Sequence, residues 1–115
     1  MEEKRKFVRV PLVVKVTNRT TKEFHFFYSR DISLGGIFLE TRDPYTLDTE
    51  VELDFFLPVK DRKERITIPG KVARVRVYDI LKKDGPMPGM GIEFISVDPA
   101  SLALIGNFIR DFLDV

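Results

Sequence analysis

Apolar and polar positions alternate along most of this chain, and the period changes only near the C-terminus. Leu12, Val14 and Val16 alternate with Val13, Lys15 and Thr17, which predicts a strand with one better-buried face. Asn18-Arg19-Thr20-Thr21 reads as a hairpin loop. Phe24, Phe26 and Tyr28 then share one face of a second strand, with His25 and Phe27 on the other. Ile37 to Glu40 predict a short third strand that stops in Thr41-Arg42-Asp43-Pro44. The clearest alternation sets Val51, Leu53, Phe55 and Leu57 against Glu50, Glu52 and Asp54; Pro58 is expected to end it, and Lys60-Asp61-Arg62-Lys63 to turn in solvent. Ile66 and Ile68 lead to Pro69-Gly70, after which the apolar positions slip from even to odd at Val75 and Val77. A bulge or bend at Pro69-Gly70 would account for that slip. Lys82 to Pro86 is a loop, and Met90, Ile92 and Phe94 mark a final strand.

The period then lengthens. Asp98 is a candidate N-cap and Pro99 suits the first helical position. Leu102, Ile105, Ile109, Phe112 and Leu113 form a helical stripe that Leu104 and Phe108 widen. The fold class is therefore all-β with one C-terminal helix. Six antiparallel strands that each bury one face close most simply into a barrel, which also removes exposed edges. The expected organisation is a single domain over 1–115, with an arm at 1–9, a barrel at 10–97 and a helix at 98–115.

Composition narrows the function. A length of 115 residues suits one domain, and ten phenylalanines without a tryptophan suggest a core of aromatic rings. Nineteen basic residues against 18 acidic ones give no global field for nucleic acid, so an anionic partner must be caught by a local cluster. There is no cysteine and so no disulfide framework. The charged start Met1 to Lys6 has no apolar run behind it, and no stretch approaches the ~20 apolar residues that cross a bilayer. The expectation is a cytoplasmic domain without membrane insertion.

Catalysis finds little support. His25, the only histidine, lies among strand aromatics and reads as a packed residue; it cannot form a histidine metal cluster or a convincing Ser–His–Asp set. Glu50, Glu52 and Asp54 read as the wet face of their strand. Gly35-Gly36 is followed by Ile37, unlike a phosphate-cradling loop, and no strand-to-helix step follows Gly85 to Gly91. The chain reads as a binder, not an enzyme, with no metal and no cofactor.

Two stretches carry binding chemistry. Asp31-Ile32-Ser33-Leu34-Gly35-Gly36 sits between apolar runs and offers a carboxylate, a hydroxyl and bare backbone. On chemistry alone it is either a well-made hairpin turn or a ligand-binding surface. Arg5 and Arg9, four apart in a segment that Pro11 biases against helix, suit bidentate phosphate or guanine contacts. Alone, the segment reads first as a solvated basic tail.

Together, Arg5-x-x-x-Arg9 and Asp31-x-Ser33-x-x-Gly36 resemble the bipartite signature of the PilZ domain family, receptors for the bacterial second messenger cyclic di-GMP. Gly70-Lys71-Val72-Ala73-Arg74-Val75 looks like that family's later strand, and Gly89 to Phe94 resembles its glycine-rich final strand. The resemblance covers essentially the whole chain. It implies a six-stranded antiparallel PilZ-type barrel whose N-terminal arm closes over a nucleotide on the outer surface. By matching position, Arg5 and Arg9 would grip phosphates and guanine, Asp31 would accept from the guanine N–H edge, and Ser33 would bond a base or phosphate. Gly36 would keep the backbone low beneath the ligand. Outside the motifs, Phe7 is placed to anchor the arm, Lys4 and Arg30 to add charge, and Gly35 to keep the turn bare.

The function so implied is a cyclic di-GMP receptor that couples arm closure to an unidentified protein partner in motility, biofilm, exopolysaccharide or pilus regulation, as a monomer or weak homodimer. One alternative is a PilZ-like adaptor that binds no nucleotide. Another is a barrel that binds single-stranded nucleic acid through Phe26, Phe27, Tyr28, Arg74 and Arg76, which the near-zero net charge disfavours.

Overall fold

The alternating segments become strands β1 (Val10–Pro11), β2 (Lys15–Asn18), β3 (His25–Ile32), β4 (Gly36–Glu40), β5 (Glu50–Val59), β6 (Arg62–Arg76) and β7 (Gly89–Phe94), followed by helix α1 (Pro99–Leu113). This computed structural model describes residues 7–20, 25–82 and 85–114; Lys4, Arg5 and Phe24 lie outside the described residues. The sheet runs β3-β2-β5-β6-β7-β4 and returns to β3 through a β3–β4 pairing, so six antiparallel strands close into a barrel. Closure leaves no full-length edge strand open.

The short β1 extends the β3 edge beside β2, and the predicted first strand is interrupted between them. Pro11 opposes Asp31 whereas Lys15 opposes Tyr28, a slip of one residue. The buried Ser29 hydroxyl repairs the interruption by accepting from the Val14 N–H at 3.1 Å and donating to the Leu12 carbonyl.

β5 shows the predicted alternation, with Val51, Leu53, Phe55 and Leu57 all buried. Pro58 does not end it. The strand continues to Val59, with Pro58 opposite Lys63, because β2 reaches only Leu53 and Asp54 and leaves the far end of β5 flanked by β6 alone. The bulge expected at Pro69-Gly70 is also elsewhere. β6 stays in register with β5 through Lys71, and the slip against β7 falls between Val72 and Arg74. The Pro69 carbonyl accepts from the Ile95 N–H on the β7 side, so its missing donor faces a point beyond the end of β7 and costs no ladder bond. Val77 lies past the end of β6 and is exposed, against expectation.

The core is aliphatic more than aromatic. Among the described phenylalanines only Phe38, Phe55 and Phe94 are buried, and Val16, Ile32, Ile37, Leu39, Leu53, Leu57, Ile66 and Ile68 fill most of the interior. A six-stranded barrel is narrow, and branched side chains fill it more readily than rings do. α1 packs Ile105 and Ile109 inward while Leu102, Phe112 and Leu113 stay exposed, so only part of its stripe is used. Its N-terminus is capped as predicted: Asp98 accepts from the Ser101 N–H at 2.7 Å, and Pro99 opens the helix.

Candidate ligand-binding site

Two bulges and the short β1 build one surface. Ser29 opposes Leu39 and Asp31 opposes Phe38, so Arg30 is an extra residue in β3. A bulge turns successive side chains to the same side. Arg30 and Asp31 both point outward as a result, between the buried Ser29 and Ile32. In β6 the extra residue is Ala73, which sends Arg74 and then Arg76 to the outer face. β1 pairs Val10 with Ile32 and Pro11 with Asp31, and this sets Arg9 beside Asp31.

Arg9, Arg30, Asp31, Phe38, Arg74 and Arg76 thereby line one open pocket of about 220 Å³. Arg9 places Nε at 2.9 Å and Nη2 at 2.8 Å from Asp31 Oδ1. Arg30 Nη1 lies 2.9 Å from Glu40 Oε2. Arg76 donates from Nη1 to the Met87 carbonyl at 3.0 Å and stacks its guanidinium 4.7 Å above the Phe38 ring. Among the described residues neither Arg74 nor Arg76 has a carboxylate partner. β7 is low here because of its glycines: a Cβ on Gly89 would strike the Leu39 carbonyl and the Phe38 ring, and one on Gly91 would lie 3.2 Å from Arg74 Nε.

The turn after β3 is shorter than the motif. β3 runs through Asp31 and Ile32, leaving Ser33 to Gly35 as the turn. Ser33 is buried; its hydroxyl accepts from the Gly35 N–H at 3.1 Å, and its own N–H donates to the Gly36 carbonyl at 2.9 Å. Gly36 does not take a positive φ. A side chain there would collide with the Ile92 carbonyl of β7, so the glycine allows close strand approach. Neither Ser33 nor Gly36 lines the pocket. Phe7 rests on Gly35, its ring 3.1 Å from where a Cβ would stand, which joins the start of the described chain to the turn.

Of the residues singled out by sequence, Arg9, Arg30 and Asp31 meet at the pocket, Phe7 and Gly35 touch beside it, and Ser33 and Gly36 build the turn beneath. Lys4 and Arg5 lie outside the described residues. Phe38 carries no binding signal in the sequence, and Arg74 and Arg76 group there with Phe26, Phe27 and Tyr28. The structure separates that group: Phe26 and Phe27 line a second, shallow hollow with His25, Thr41, Asp43 and Tyr45. The spacings Arg74-x-Arg76 and Gly89-x-Gly91 were visible signals, but the face they share follows from the β6 bulge.

Carboxylates held below their ordinary range lie away from the pocket. Arg65 hydrogen bonds lower Asp54, and the Ser101 N–H and hydroxyl lower Asp98. Among the described residues no cluster of three or more His, Cys, Asp or Glu can hold a metal, and no helix is long and apolar enough to cross a membrane.

A comparison with curated proteins finds no match. Solved structures do match. MotI/DgrA, the inhibitor of motility from Bacillus subtilis, is 24% identical with a TM-score of 0.77, over 96% of this chain and 52% of that one. The PilZ domain of YcgR from Escherichia coli, solved with c-di-GMP, is 15% identical with a TM-score of 0.67, over 97% and 93%. MrkH from K. pneumonia, solved as its c-di-GMP complex, is 20% identical with a TM-score of 0.70, over 95% and 52%. The chain thus spans about half the length of MotI/DgrA and of MrkH. At these identities the likeness is one of fold, a closed barrel followed by a helix. The PilZ domain profile matches residues 3–111, nearly the whole chain, and with that fold in place the chain belongs to the PilZ domain family.

Proposed function

We propose that this domain is a receptor for cyclic di-GMP, binding it on the outer barrel surface between the N-terminal arm and the β3 and β6 bulges. The observation that carries the reading is the contact of Arg9 with Asp31 at the edge of a pocket that holds four arginines. One residue comes from each half of the bipartite signature, and the fold sets them in contact. The ligand carries two phosphates and two guanines, and the pocket offers guanidinium groups for the former and a carboxylate for the latter. Structural neighbours solved with c-di-GMP support the same assignment.

Arg9 and Asp31 contact the ligand directly in this reading, and Arg5 adds a second guanidinium from the arm. Arg9 engages only Oδ1 of Asp31, so Oδ2 can accept from a guanine N–H. Ser33, Gly35 and Gly36 act by holding the turn tight and low against β7, and Phe7 fixes the base of the arm on Gly35. Binding closes residues 1–9 over the nucleotide, and a protein partner reads the altered surface. The domain performs no chemistry on its ligand.

Calorimetric titration with cyclic di-GMP, with cyclic di-AMP and GTP as controls, tests the reading. Saturable binding at micromolar ligand or tighter, for cyclic di-GMP alone, is expected. Absence of heat and of thermal shift at millimolar ligand would move the domain to the adaptor class.

A further inference from the structure

The arginines of the pocket differ in what already neutralises them. Arg9 is spoken for by Asp31 and Arg30 by Glu40, each within 2.9 Å. Arg74 and Arg76 have no such partner among the described residues, although they line the same hollow. Their positions are also built. The Ala73 bulge turns them outward, Gly91 leaves room for Arg74 to lie on β7, and the Phe38 ring and Met87 carbonyl hold Arg76. A guanidinium stacked on a ring and bonded through one N–H keeps other donors for an anion.

We propose that Arg74 and Arg76 form the phosphodiester-binding wall of the pocket, opposite the Arg9–Asp31 pair, which is left to read the base. This assignment rests on the receptor reading and divides its labour. A phosphate meeting Arg9 must compete with a carboxylate already in place, whereas one meeting Arg74 or Arg76 displaces no carboxylate of the described residues. Unpaired charge is also the charge that salt screens most directly, so the β6 arginines should carry the ionic-strength dependence of binding.

The test is calorimetric titration of the full chain with cyclic di-GMP at low and high salt. It compares wild type with Arg74→Ala, Arg76→Ala, Arg74→Lys and Arg62→Ala, the last removing an equal charge at the distant β5–β6 turn. Arg74→Ala and Arg76→Ala are expected to bind about ten- to hundredfold more weakly and with a shallower salt dependence. Arg74→Lys should recover part of the affinity, and Arg62→Ala should match wild type. Melting temperatures establish that each variant is folded. If wild type binds but the two alanine variants keep its affinity and salt dependence, the wall is not on β6 and the receptor reading survives. If wild type itself does not bind, both fall.

Discussion

Arg9 and Asp31, 22 positions apart in sequence, meet through a single carboxylate oxygen: both Nε and Nη2 converge on Oδ1. The contact is partly exposed, with 40% and 35% of the two side chains accessible, and such pairs contribute about 0–1 kcal/mol to stability. In the proposed receptor its value lies in preorganisation. Arg9→Ala is therefore expected to leave the melting temperature of the free domain nearly unchanged while weakening cyclic di-GMP binding about ten- to hundredfold. Arg5→Ala should behave likewise. A large drop in the free domain's melting temperature would make the arm structural instead.

Gly36 should show the opposite balance. A side chain there meets the Ile92 carbonyl, so Gly36→Val forces β4 away from β7 at a cost of about 1–3 kcal/mol. The expected result is a lowered melting temperature before any ligand is added. A variant as stable as wild type that failed only in binding would show that the glycine serves the ligand and not the ladder.

Ser29 is buried and does not line the pocket; its hydroxyl bonds Val14 and Leu12. Ser29→Ala removes the hydroxyl that serves the Val14 N–H and the Leu12 carbonyl, leaving buried backbone groups unpaired at a cost of about 1–3 kcal/mol. Urea unfolding should show a reduced midpoint with an unchanged slope. Equal midpoints would mean that solvent satisfies the interruption between β1 and β2.

Acid should weaken the domain in part through Asp54 and Asp98. Both sit below the ordinary value of 3.8 in the folded state, Asp54 chiefly by hydrogen bonding from Arg65 and Asp98 by that from Ser101. A depressed folded pKa gives stability that is present above the unfolded value and lost as pH falls through the folded one. Melting temperature should thus be flat from neutral pH to about 5 and fall below about 4. Converting both residues to asparagine should make that decline shallower; an unchanged acid limb would assign it to other carboxylates.

The barrel was legible where burial on one face is strict, as at Val51, Leu53, Phe55 and Leu57, because alternation then records the strand directly. The helix was legible through Asp98 and Pro99, whose capping role is local. What escaped depends on a partner strand. The slip at Val75 was visible, but its placement at Ala73 and not at Pro69-Gly70 is decided by where β5 and β7 each keep register. The same bulge turns Arg74 and Arg76 to the pocket, so their grouping with Arg9 could not be read from spacing. Ser33 and Gly36 stood out for their chemistry, yet the structure shows them engaged in turn and ladder.

The pocket draws on Arg9, on Arg30, Asp31 and Phe38, and on Arg74 and Arg76, so its walls come from segments separated by most of the chain. It exists only once β4 has closed on β3 and β6 has found β7. A fragment that ends before β7 lacks the strand that joins β6 to β4 and so sets Arg74 and Arg76 beside Phe38. A ligand of this pocket therefore meets its full set of contacts only after synthesis has passed Phe94. Because such a ligand recognises the finished barrel alone, at a hundredfold excess over its dissociation constant it adds about 2.7 kcal/mol to the folded state. Such a ligand would thereby prolong the life of the domain that binds it.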